Sequence, residues 1–330
     1  MPIQVNELSK HFRLFKREAG LSGALRSFFN RKYENFHALD NLSLNIDNGE
    51  ILGILGENGA GKTTLIKLLA GLLHPSSGSV DINGFTPWNR KPSFLKQISV
   101  VMGQKNQLWW DIPASESFLL NKKIYEIPGI HYKKTLDELI DLLSIKDKLN
   151  VQVRRLSLGE RMKMEIIAAL LHKPKIVFLD EPTIGLDVIS QSKIRDFVKY
   201  YNEKYKTTFL LTSHYMHDIQ ALCRRVHVIH QGKSLYDGEF EDLVNRVNPK
   251  RKLIFEFSSA PSANEIETLS ELYSFNIDET ILRAELPDQE LTQLVSKLFL
   301  LGTPASITLE DLPVEDTMRA FFTQPEKFLQ

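Results

Sequence analysis

The stretch GENGAGKTT, at residues 56–64, combines three glycines with a lysine and two threonines. It fits the phosphate-loop pattern G-x-x-x-x-G-K-[ST], it follows the apolar run EILGILG, and it opens the apolar-faced segment KTTLIKLLAGLL. Such a loop turns its backbone N–H groups towards a triphosphate, while Lys62 reaches the β- and γ-phosphates and the Thr63 hydroxyl holds Mg²⁺. The residues predicted to bind nucleotide here are Gly56, Glu57, Asn58, Gly59, Ala60, Gly61, Lys62, Thr63 and Thr64.

A second acidic element, KIVFLDEP, ends an apolar run with two adjacent carboxylates. Ligands of parallel sheets bind outside the carboxyl ends of the strands, which is where these side chains would lie. Asp180 is expected to be the magnesium partner, directly or through water, and Glu181 to orient or deprotonate the attacking water. The two elements together predict hydrolysis of the nucleotide as well as binding.

The stretch RRLSLGERMKMEIIAALL places Ser157 and Gly159 at the head of an apolar-faced helix. One interpretation makes Ser157 an N-cap, with Glu160 closing a capping box three residues later. The other makes the helix N-terminus and the hydroxyl an anion site that waits for a phosphate. These residues alone favour the cap.

The elements that must position these motifs alternate between strand and helix from residue 36 to about 238, which implies a parallel sheet covered by helices. Leucine-rich helical segments interrupt this alternation before the helix that follows Ser157. The polar stretch LVNRVNPKRK marks a boundary. We therefore predict an α/β domain over residues 1–240, with a helical subdomain at about 105–170, and a small α+β accessory domain over residues 247–330.

Composition narrows the classes of partner and compartment. Lysines plus arginines equal aspartates plus glutamates, 41 against 41, so no global field favours nucleic acid. The first residues lack the order of a signal peptide, which predicts a cytoplasmic protein. Cys223 is the single cysteine; it excludes an internal disulfide framework and a cysteine metal cluster, and it is expected to be a small buried hydrophobe. The segment HYMH, with His214 and His217, lacks the glutamate of a zinc motif, so no metal site is expected there.

Six motifs in one order make the sequence resemble the nucleotide-binding subunits of ATP-binding-cassette (ABC) transporters over residues 1 to about 240. To the phosphate loop and VFLDEP they add VMGQKNQLWW with Gln104, LSLGE, TIGLD with Asp187, and LLTSHY with His214. The resemblance implies a P-loop ABC ATPase cassette with a parallel or mixed sheet and a helical subdomain. It also implies ATP and Mg²⁺ as ligands, and a homodimer or paired cassette with ATP at its interface.

The resemblance assigns roles to the remaining motif residues. In ABC ATPases two cassettes close head to tail, so Ser157 and Gly159 would contact a nucleotide held by the partner chain. The chain departs from the commonest signature, LSGGQ, at Leu158 and Glu160, but it keeps the hydroxyl and the second glycine.

Four further residues complete the implied site. Gln104 would link magnesium and the attacking water to the membrane partner, and His214 would act as a γ-phosphate switch. Asp187 would communicate across the dimer, although by itself it is also a natural helix N-cap. Phe12, in LSKHF, is the best match to the aromatic residue that stacks on adenine.

The most similar subgroup comprises cassettes of type-2 ABC exporters, such as drug and sodium efflux ATPases. Such a subunit would drive a separate integral membrane permease from the inner face of the cell membrane. Trp109 and Trp110 would then line the cleft that receives the permease, or else pack in the core. The basic, amphipathic segment 15–36 would lie against the permease or the lipid headgroups, or else pack on its own cassette.

Two other functions remain compatible with the motifs. One is a soluble ABC ATPase that acts on ribosomes or nucleic acid, although this chain has a single cassette and no sustained heptads. The other is a regulatory nucleotide switch that hydrolyses little.

Overall fold

The computed structural model describes residues 3–15, 33–103, 107–213 and 215–328. The chain divides into two compact units, Met1–Gly238 and Glu239–Gln330.

The first unit is built around a six-stranded sheet with the order β5-β6-β7-β3-β8-β9. Its strands are β3 (Ile51–Leu55), β5 (Ile98–Met102), β6 (Ile176–Asp180), β7 (Thr208–Thr212), β8 (Arg225–His230) and β9 (Lys233–Glu239). The pairs from β5 through β8 are parallel. Their residues are almost all buried, as expected of strands covered on both faces. This arrangement confirms the predicted α/β fold.

A three-stranded antiparallel sheet with the order β2-β1-β4 belongs to the same unit. Its strands are β1 (Ile3–Phe15), β2 (Tyr33–Ile46) and β4 (Ser77–Ile82). Alternating apolar residues of these strands share one core with residues of β3, β6 and β8. This shared core fixes the carboxyl end of β3 relative to the middle of β2.

The helices of the first unit connect these strands. They are α1 (Lys62–Leu69), α2 (Pro92–Leu95), α3 (Ala114–Ile124), α4 (Gly129–Leu143), α5 (Leu158–Leu170), α6 (Val188–Tyr205) and α7 (Met216–Leu222). Helices α3 and α4 both pack on α5, which gives the helical region between β5 and β6. Buried residues of α5 include Met162, Met164, Ile166 and Ile167, as its apolar face predicts. Among the described residues, none of the helices combines the length and apolar character needed to cross a bilayer.

The last sequence segment of the first unit with strand character forms two strands. The segment RVHVIHQGKSLYDG is typical of a single strand, but it forms β8 and β9 with a turn between them. Gln231 and Gly232 both adopt positive φ angles there, 48° and 81°. Cys223, which precedes β8, is buried as predicted, and burial raises the pKa of its thiol.

The second unit has the βαββαβ order of a ferredoxin-like fold, flanked by one helix at each end. Its elements are α8 (Phe240–Val247), β10 (Lys250–Phe257), α9 (Ala263–Ser270), β11 (Phe275–Asp278), β12 (Ile281–Pro287), α10 (Asp288–Leu301), β13 (Pro304–Asp311) and α11 (Val314–Thr323). The strands form an antiparallel sheet with the order β11-β12-β10-β13. Leu253 and Phe255 of β10 form its core with Leu294 and Leu298 of α10. This confirms a small α+β domain.

Candidate functional site

The loop between β3 and α1 is shaped by Gly56 and Gly61, where a side chain would collide with neighbouring backbone. Gly56 and Gly61 have φ angles of 153° and 117°. A Cβ atom on Gly56 would lie 2.3 Å from the carbonyl oxygen of Ile229, and one on Gly61 would lie 2.5 Å from that of Ala38. Gly59, with φ of 83°, has open space where its Cβ would be. Neighbouring backbone therefore packs closely against both ends of the loop, while its middle faces open space.

The N-terminus of α1 is ready to receive an anion. Its N-cap is Gly61, which makes no side-chain capping bond, and its first turn contains no acidic residue. N–H groups at the start of a helix that lack a side-chain acceptor attract phosphate oxygens. Glu57 and Asn58 are exposed, Ala60 is buried, and Thr63 and Thr64 are half-buried.

Lys62 is folded back onto the loop that precedes it. Its Nζ donates to the carbonyl oxygens of Gly56, at 2.7 Å, and of Glu57, at 2.9 Å. Burial lowers the pKa of the Lys62 ammonium below its ordinary value, while the carboxylates of Glu181 and Asp180 act in the opposite direction. The ammonium thus lies inside the loop, near the acidic strand end, where it can exchange its carbonyl acceptors for phosphate oxygens.

Asp180, at the carboxyl end of β6, accepts hydrogen bonds from two hydroxyls. Thr63 Oγ1 lies 3.0 Å from its Oδ2, and Thr212 Oγ1 lies 2.7 Å from its Oδ1. The Thr63 hydroxyl and the Asp180 carboxylate are oxygen ligands of the kind that Mg²⁺ prefers. Their contact across two elements fits a magnesium site.

The position of Glu181 is fixed by its backbone conformation and by the hydrogen bonds of its N–H group. It has a φ of 56°, and its N–H donates to the carbonyl oxygen of Thr212 at 3.0 Å and to Thr212 Oγ1 at 3.1 Å. A Cβ on Gly103 would lie 2.2 Å from the Glu181 carbonyl oxygen, so Gly103 is needed for β5 to approach this turn. Left-handed backbone at a non-glycine residue is often found at functional sites.

Gln104 and His214 lie outside the described residues. The residues immediately before them are described and lie beside Asp180, since β5 and β7 flank β6. Gly103 donates its N–H to the Asp180 carbonyl oxygen at 2.8 Å. Ser213 is buried and donates to Asp218 at 2.8 Å.

The predicted capping box at the head of α5 is confirmed. Glu160 N–H donates to Ser157 Oγ at 3.2 Å, and Ser157 N–H donates to Glu160 Oε2 at 2.9 Å. The second Glu160 oxygen, Oε1, lies 3.1 Å from Lys148 Nζ. These contacts of Ser157 are within its own helix and none is with the phosphate loop, yet the residue is exposed.

Gly159 and Asp187 meet at Ser190. A Cβ on Gly159 would lie 2.4 Å from Ser190 Oγ and 2.9 Å from Ser190 Cβ, so any other residue there would displace the Ser190 side chain. Asp187 is the N-cap of α6: its Oδ1 accepts from Ser190 N–H at 2.9 Å, and its Oδ2 accepts from Ser190 Oγ at 2.7 Å. These bonds lower the pKa of the Asp187 carboxyl. The structure thus brings two predicted residues together through one that the sequence analysis did not identify.

Phe12 lies in β1 opposite Phe36 of β2. Lys10 Nζ lies 5.1 Å from the centre of the Phe12 ring, and Phe36 is 45% exposed. Two residues after Phe36, the Ala38 carbonyl packs against Gly61 of the phosphate loop. Strand β2 therefore runs from these aromatic residues to the loop.

A buried network behind the site was also missed. Asp218 of α7 accepts from Arg195 Nη1 at 2.7 Å and from Ser213, and it forms a hydrogen bond with Thr183. It ties the turn after Glu181 to the end of β7. A lone aspartate in a short polar helix gives no signal of this in the sequence.

The segment that follows Gln104 is held by α5. Glu165, which is buried, accepts at Oε1 from the N–H groups of Gln107, at 2.9 Å, and Leu108, at 3.2 Å. Desolvation raises the pKa of Glu165. Trp109 and Trp110 follow with 62% and 47% of their surfaces exposed, so the core-packing alternative is wrong for both.

Comparison with protein families and curated proteins gives one consistent result. A family model described as ABC transporter matches residues 39–184. The ABC transporter ATP-binding protein NatA of Bacillus subtilis (strain 168) is 36% identical, over 65% of this chain and 87% of that protein. The bacitracin transport ATP-binding protein BcrA of Bacillus licheniformis is 34% identical, over 71% and 74%. The methionine import ATP-binding protein MetN 3 of Shouchella clausii (strain KSM-K16) is 33% identical, over 82% and 80%.

Solved structures show the same fold. The ATP-binding subunit of an ABC transporter superposes with a TM-score of 0.61 at 22% identity, covering 74% of this chain and 92% of that one. The dimeric post-hydrolysis state of the ATP-binding cassette MJ0796, bound to ADP and Pi, gives 0.59 at 23%, covering 72% and 98%.

Proposed function

The chain belongs to the ABC transporter family as an ATP-binding ATPase subunit, and from this we propose that two copies close around two Mg·ATP and drive a separate membrane permease. The observation that carries the proposal is the convergence of Lys62, Thr63 and Asp180 at the carboxyl end of the parallel sheet. This arrangement places a cation, a hydroxyl and a carboxylate around an open glycine loop, as transfer of a phosphoryl group to water requires.

Each side chain then has a role in the reaction. The phosphate loop binds the triphosphate through its N–H groups, and Lys62 leaves its two carbonyl acceptors for the β- and γ-phosphates. Thr63 and Asp180 would hold Mg²⁺, which would offset the negative charge that develops on the phosphates. Glu181 orients and deprotonates the attacking water. His214 and Gln104, outside the described residues, remain proposed as the γ-phosphate switch and the link to the permease.

The second copy supplies the remaining contacts. We assign Ser157 and Gly159 of one chain to the nucleotide on the phosphate loop of its partner, and Asp187 to communication between the two sites. The exposure of Ser157 supports this, because a residue at the mouth of a helix N-terminus is available to a ligand from outside the chain. Phe12 is proposed to stack on adenine.

Export is the direction we propose, on the resemblance to type-2 exporter cassettes. The relatives include proteins named for bacitracin transport and linearmycin resistance. Others are named for methionine import. Attachment to the inner face of the membrane through the permease belongs to the same proposal, as does stabilisation or regulation of the dimer by the C-terminal unit.

The test is a pull-down of the tagged chain from detergent-solubilised membranes, with Glu181→Gln in parallel to trap the ATP-bound dimer. Recovery of a polytopic membrane protein supports the proposal and identifies the other half of the transporter. Recovery of ribosomes or nucleic acid without a membrane protein would overturn the permease assignment and leave the ATPase chemistry.

A further inference from the structure

The head of α5 carries a negative charge where the proposed function needs an anion site. Glu160 is in the first turn of the helix, three residues after Ser157. A carboxylate there complements the helix dipole and closes the capping box, which stabilises the helix. The same charge repels a triphosphate that approaches the same N–H groups.

Lys148 lies where it offsets this charge. Its Nζ is 3.1 Å from Glu160 Oε1, while Glu160 Oε2 is occupied by the N–H of Ser157. Both carboxylate oxygens are therefore engaged, one by a cation and one by the backbone of the cap. These two contacts restrict the rotation of the Glu160 carboxylate at the start of the helix.

The position of Lys148 makes this a contact between two elements. Lys148 ends the short 3₁₀ turn Lys146–Lys148 that follows α4, nine residues before Ser157. Asp147 Oδ2 is 3.9 Å from the same ammonium, a longer contact than that with Glu160. The Glu160 pair raises the pKa of Lys148, and the cap and Lys148 lower the pKa of Glu160, so both groups are charged near neutral pH.

Ser157 is bound to Glu160 through both its backbone and its side chain. Its Oγ accepts from Glu160 N–H, and its hydroxyl also interacts with the Glu160 carboxylate. The chain of contacts from Lys148 through Glu160 fixes the Ser157 backbone, and with it the direction of that hydroxyl.

We propose that Lys148 is a positioning residue for ATP turnover, which through Glu160 holds Ser157 in place and cancels the charge that Glu160 presents to the partner's triphosphate. This rests on the proposed function, because it requires that Ser157 of one chain meets the nucleotide of the other. It accounts for how the chain keeps an anion site with glutamate in place of the glutamine of the commonest signature.

A double-mutant cycle on the full chain tests this, with Lys148→Met, Glu160→Gln and the double variant. The measurements are kcat and KM for Mg·ATP at low and high salt, and the thermal unfolding midpoint of each protein. Lys148→Met should lower kcat/KM about three- to fivefold, because a carboxylate that has lost its ion-pair partner then faces the triphosphate. Glu160→Gln keeps an acceptor oxygen for the cap, so it should stay within about twofold of wild type.

The kinetics of the double variant decide whether Lys148 acts through Glu160. In the Glu160→Gln background, Lys148→Met should have no further effect, since the charge it balances is gone. Lys148→Arg should retain wild-type kinetics. High salt should reduce the difference between Lys148→Met and wild type, because the repulsion is partly exposed to solvent.

A matched control separates this role from a structural one. Lys204 makes an ion pair of 2.8 Å with Glu138 in the same unit, so Lys204→Met removes a comparable contact elsewhere and should leave kcat/KM unchanged. An equal loss from Lys148→Met in both backgrounds, or no loss in either, would overturn the proposal. A wild-type chain that hydrolyses no ATP would instead refute the proposed function itself.

Discussion

At the scale of single residues, the site depends on two threonine hydroxyls that come from different elements. Thr63 opens α1 and Thr212 ends β7, yet both bond to Asp180. Thr212 Oγ1 also accepts from the N–H of Glu181. One buried hydroxyl therefore orients both the proposed magnesium ligand and the proposed base. Because both groups are already positioned, each loses less conformational freedom on reaching a reactive geometry.

Replacing the Thr212 hydroxyl should lower both ATPase activity and stability, and a control variant separates the two effects. Thr212→Val is close in shape, and it should lower kcat for ATP hydrolysis about tenfold because Asp180 loses one of its two positioning bonds. It should also cost about 1–2 kcal/mol in the free energy of unfolding. Steady-state ATPase assays and urea denaturation measure the two effects.

Thr208→Val provides the matched control at the other end of β7. Thr208 is equally buried, and its hydroxyl accepts from Gly49 N–H at 2.9 Å and donates to the Asp47 carbonyl at 3.4 Å. We expect a similar loss of stability without the loss of kcat. Equal kcat in the two valine variants would contradict the positioning role of Thr212.

Phe12 allows base binding to be tested apart from phosphate binding. Phe12→Ala should weaken ATP binding about tenfold, because stacking of a base on an aromatic ring is lost. The affinity for inorganic tripolyphosphate, which has no base, should not change. Phe299→Ala, at a ring 53% exposed on α10, serves as the control. Equal losses for ATP and tripolyphosphate in Phe12→Ala would show that the residue supports the loop and not the base.

The sequence predicts some of these residues and not others for a physical reason. The phosphate loop is recognisable because its glycines, lysine and threonine act through a short local spacing, and the structure shows the steric contacts that demand glycine at Gly56 and Gly61. Thr212, Asp218 and Ser190 act through contacts between distant segments. The bonds of Thr212 with Asp180, and of Asp218 with Arg195 and Thr183, join residues that are 23 to 35 positions apart in the chain. Their types are ordinary for strand ends and caps, so no local pattern marks them.

At the scale of elements, the aromatic ring of His172 ties α3, α5 and β5 together. It follows α5 and stacks on Tyr125, at the end of α3, with ring centres 3.8 Å apart and planes 5° from parallel. Its Nε2 lies 3.2 Å from the carbonyl oxygen of Ile98 in β5. The helical region is thereby fixed to the start of β5. This is the edge of the central sheet opposite the carboxyl ends of the strands, where Asp180 lies.

Acid should weaken this junction. Burial lowers the pKa of His172 to about 4, so the folded protein resists its protonation. The stabilisation is present above the ordinary histidine pKa of about 6.5 and is lost as pH falls from there towards 4. His172→Gln should therefore lose less stability on acidification, by up to about 3 kcal/mol. Urea denaturation of both proteins at pH 7, 5.5 and 4.5 measures this, and parallel losses would contradict it.

Element boundaries illustrate where sequence patterns fail. The cap of α5 was predictable because Ser157 and Glu160 interact within one turn. The turn between β8 and β9 was not, because Gln231 adopts a left-handed conformation that glutamine rarely favours, and the Gly232 N–H is held by the Ala60 carbonyl at 3.0 Å. That turn is therefore in contact with the phosphate loop, 172 residues away in the chain.

At the scale of the whole molecule, the first unit has two faces that one chain leaves unused. Ser157 and Asp187 are exposed at helix N-termini, and the hydrogen bonds of their side chains are with their own helices. Trp109 and Trp110 are exposed beside the segment that Glu165 anchors to α5. Under the proposed function, the first face would contact a second copy. The second would contact the permease, because exposed tandem tryptophans are typical of an interaction site.

Removing the tryptophans should uncouple the chain from the proposed permease and leave its chemistry intact. Trp109→Ala with Trp110→Ala should reduce recovery of the permease in the pull-down at least about tenfold, since large aromatic side chains dominate the binding energy of interfaces. Basal ATPase activity in detergent-free solution should stay within about twofold of wild type, because neither ring contacts the phosphate loop or Asp180 among the described contacts. Leu119→Ala with Ile124→Ala, at exposed apolar positions on α3, tests whether loss of any apolar surface has this effect. Full permease recovery by the tryptophan variant, or equal loss in the α3 variant, would reject this face as the docking site.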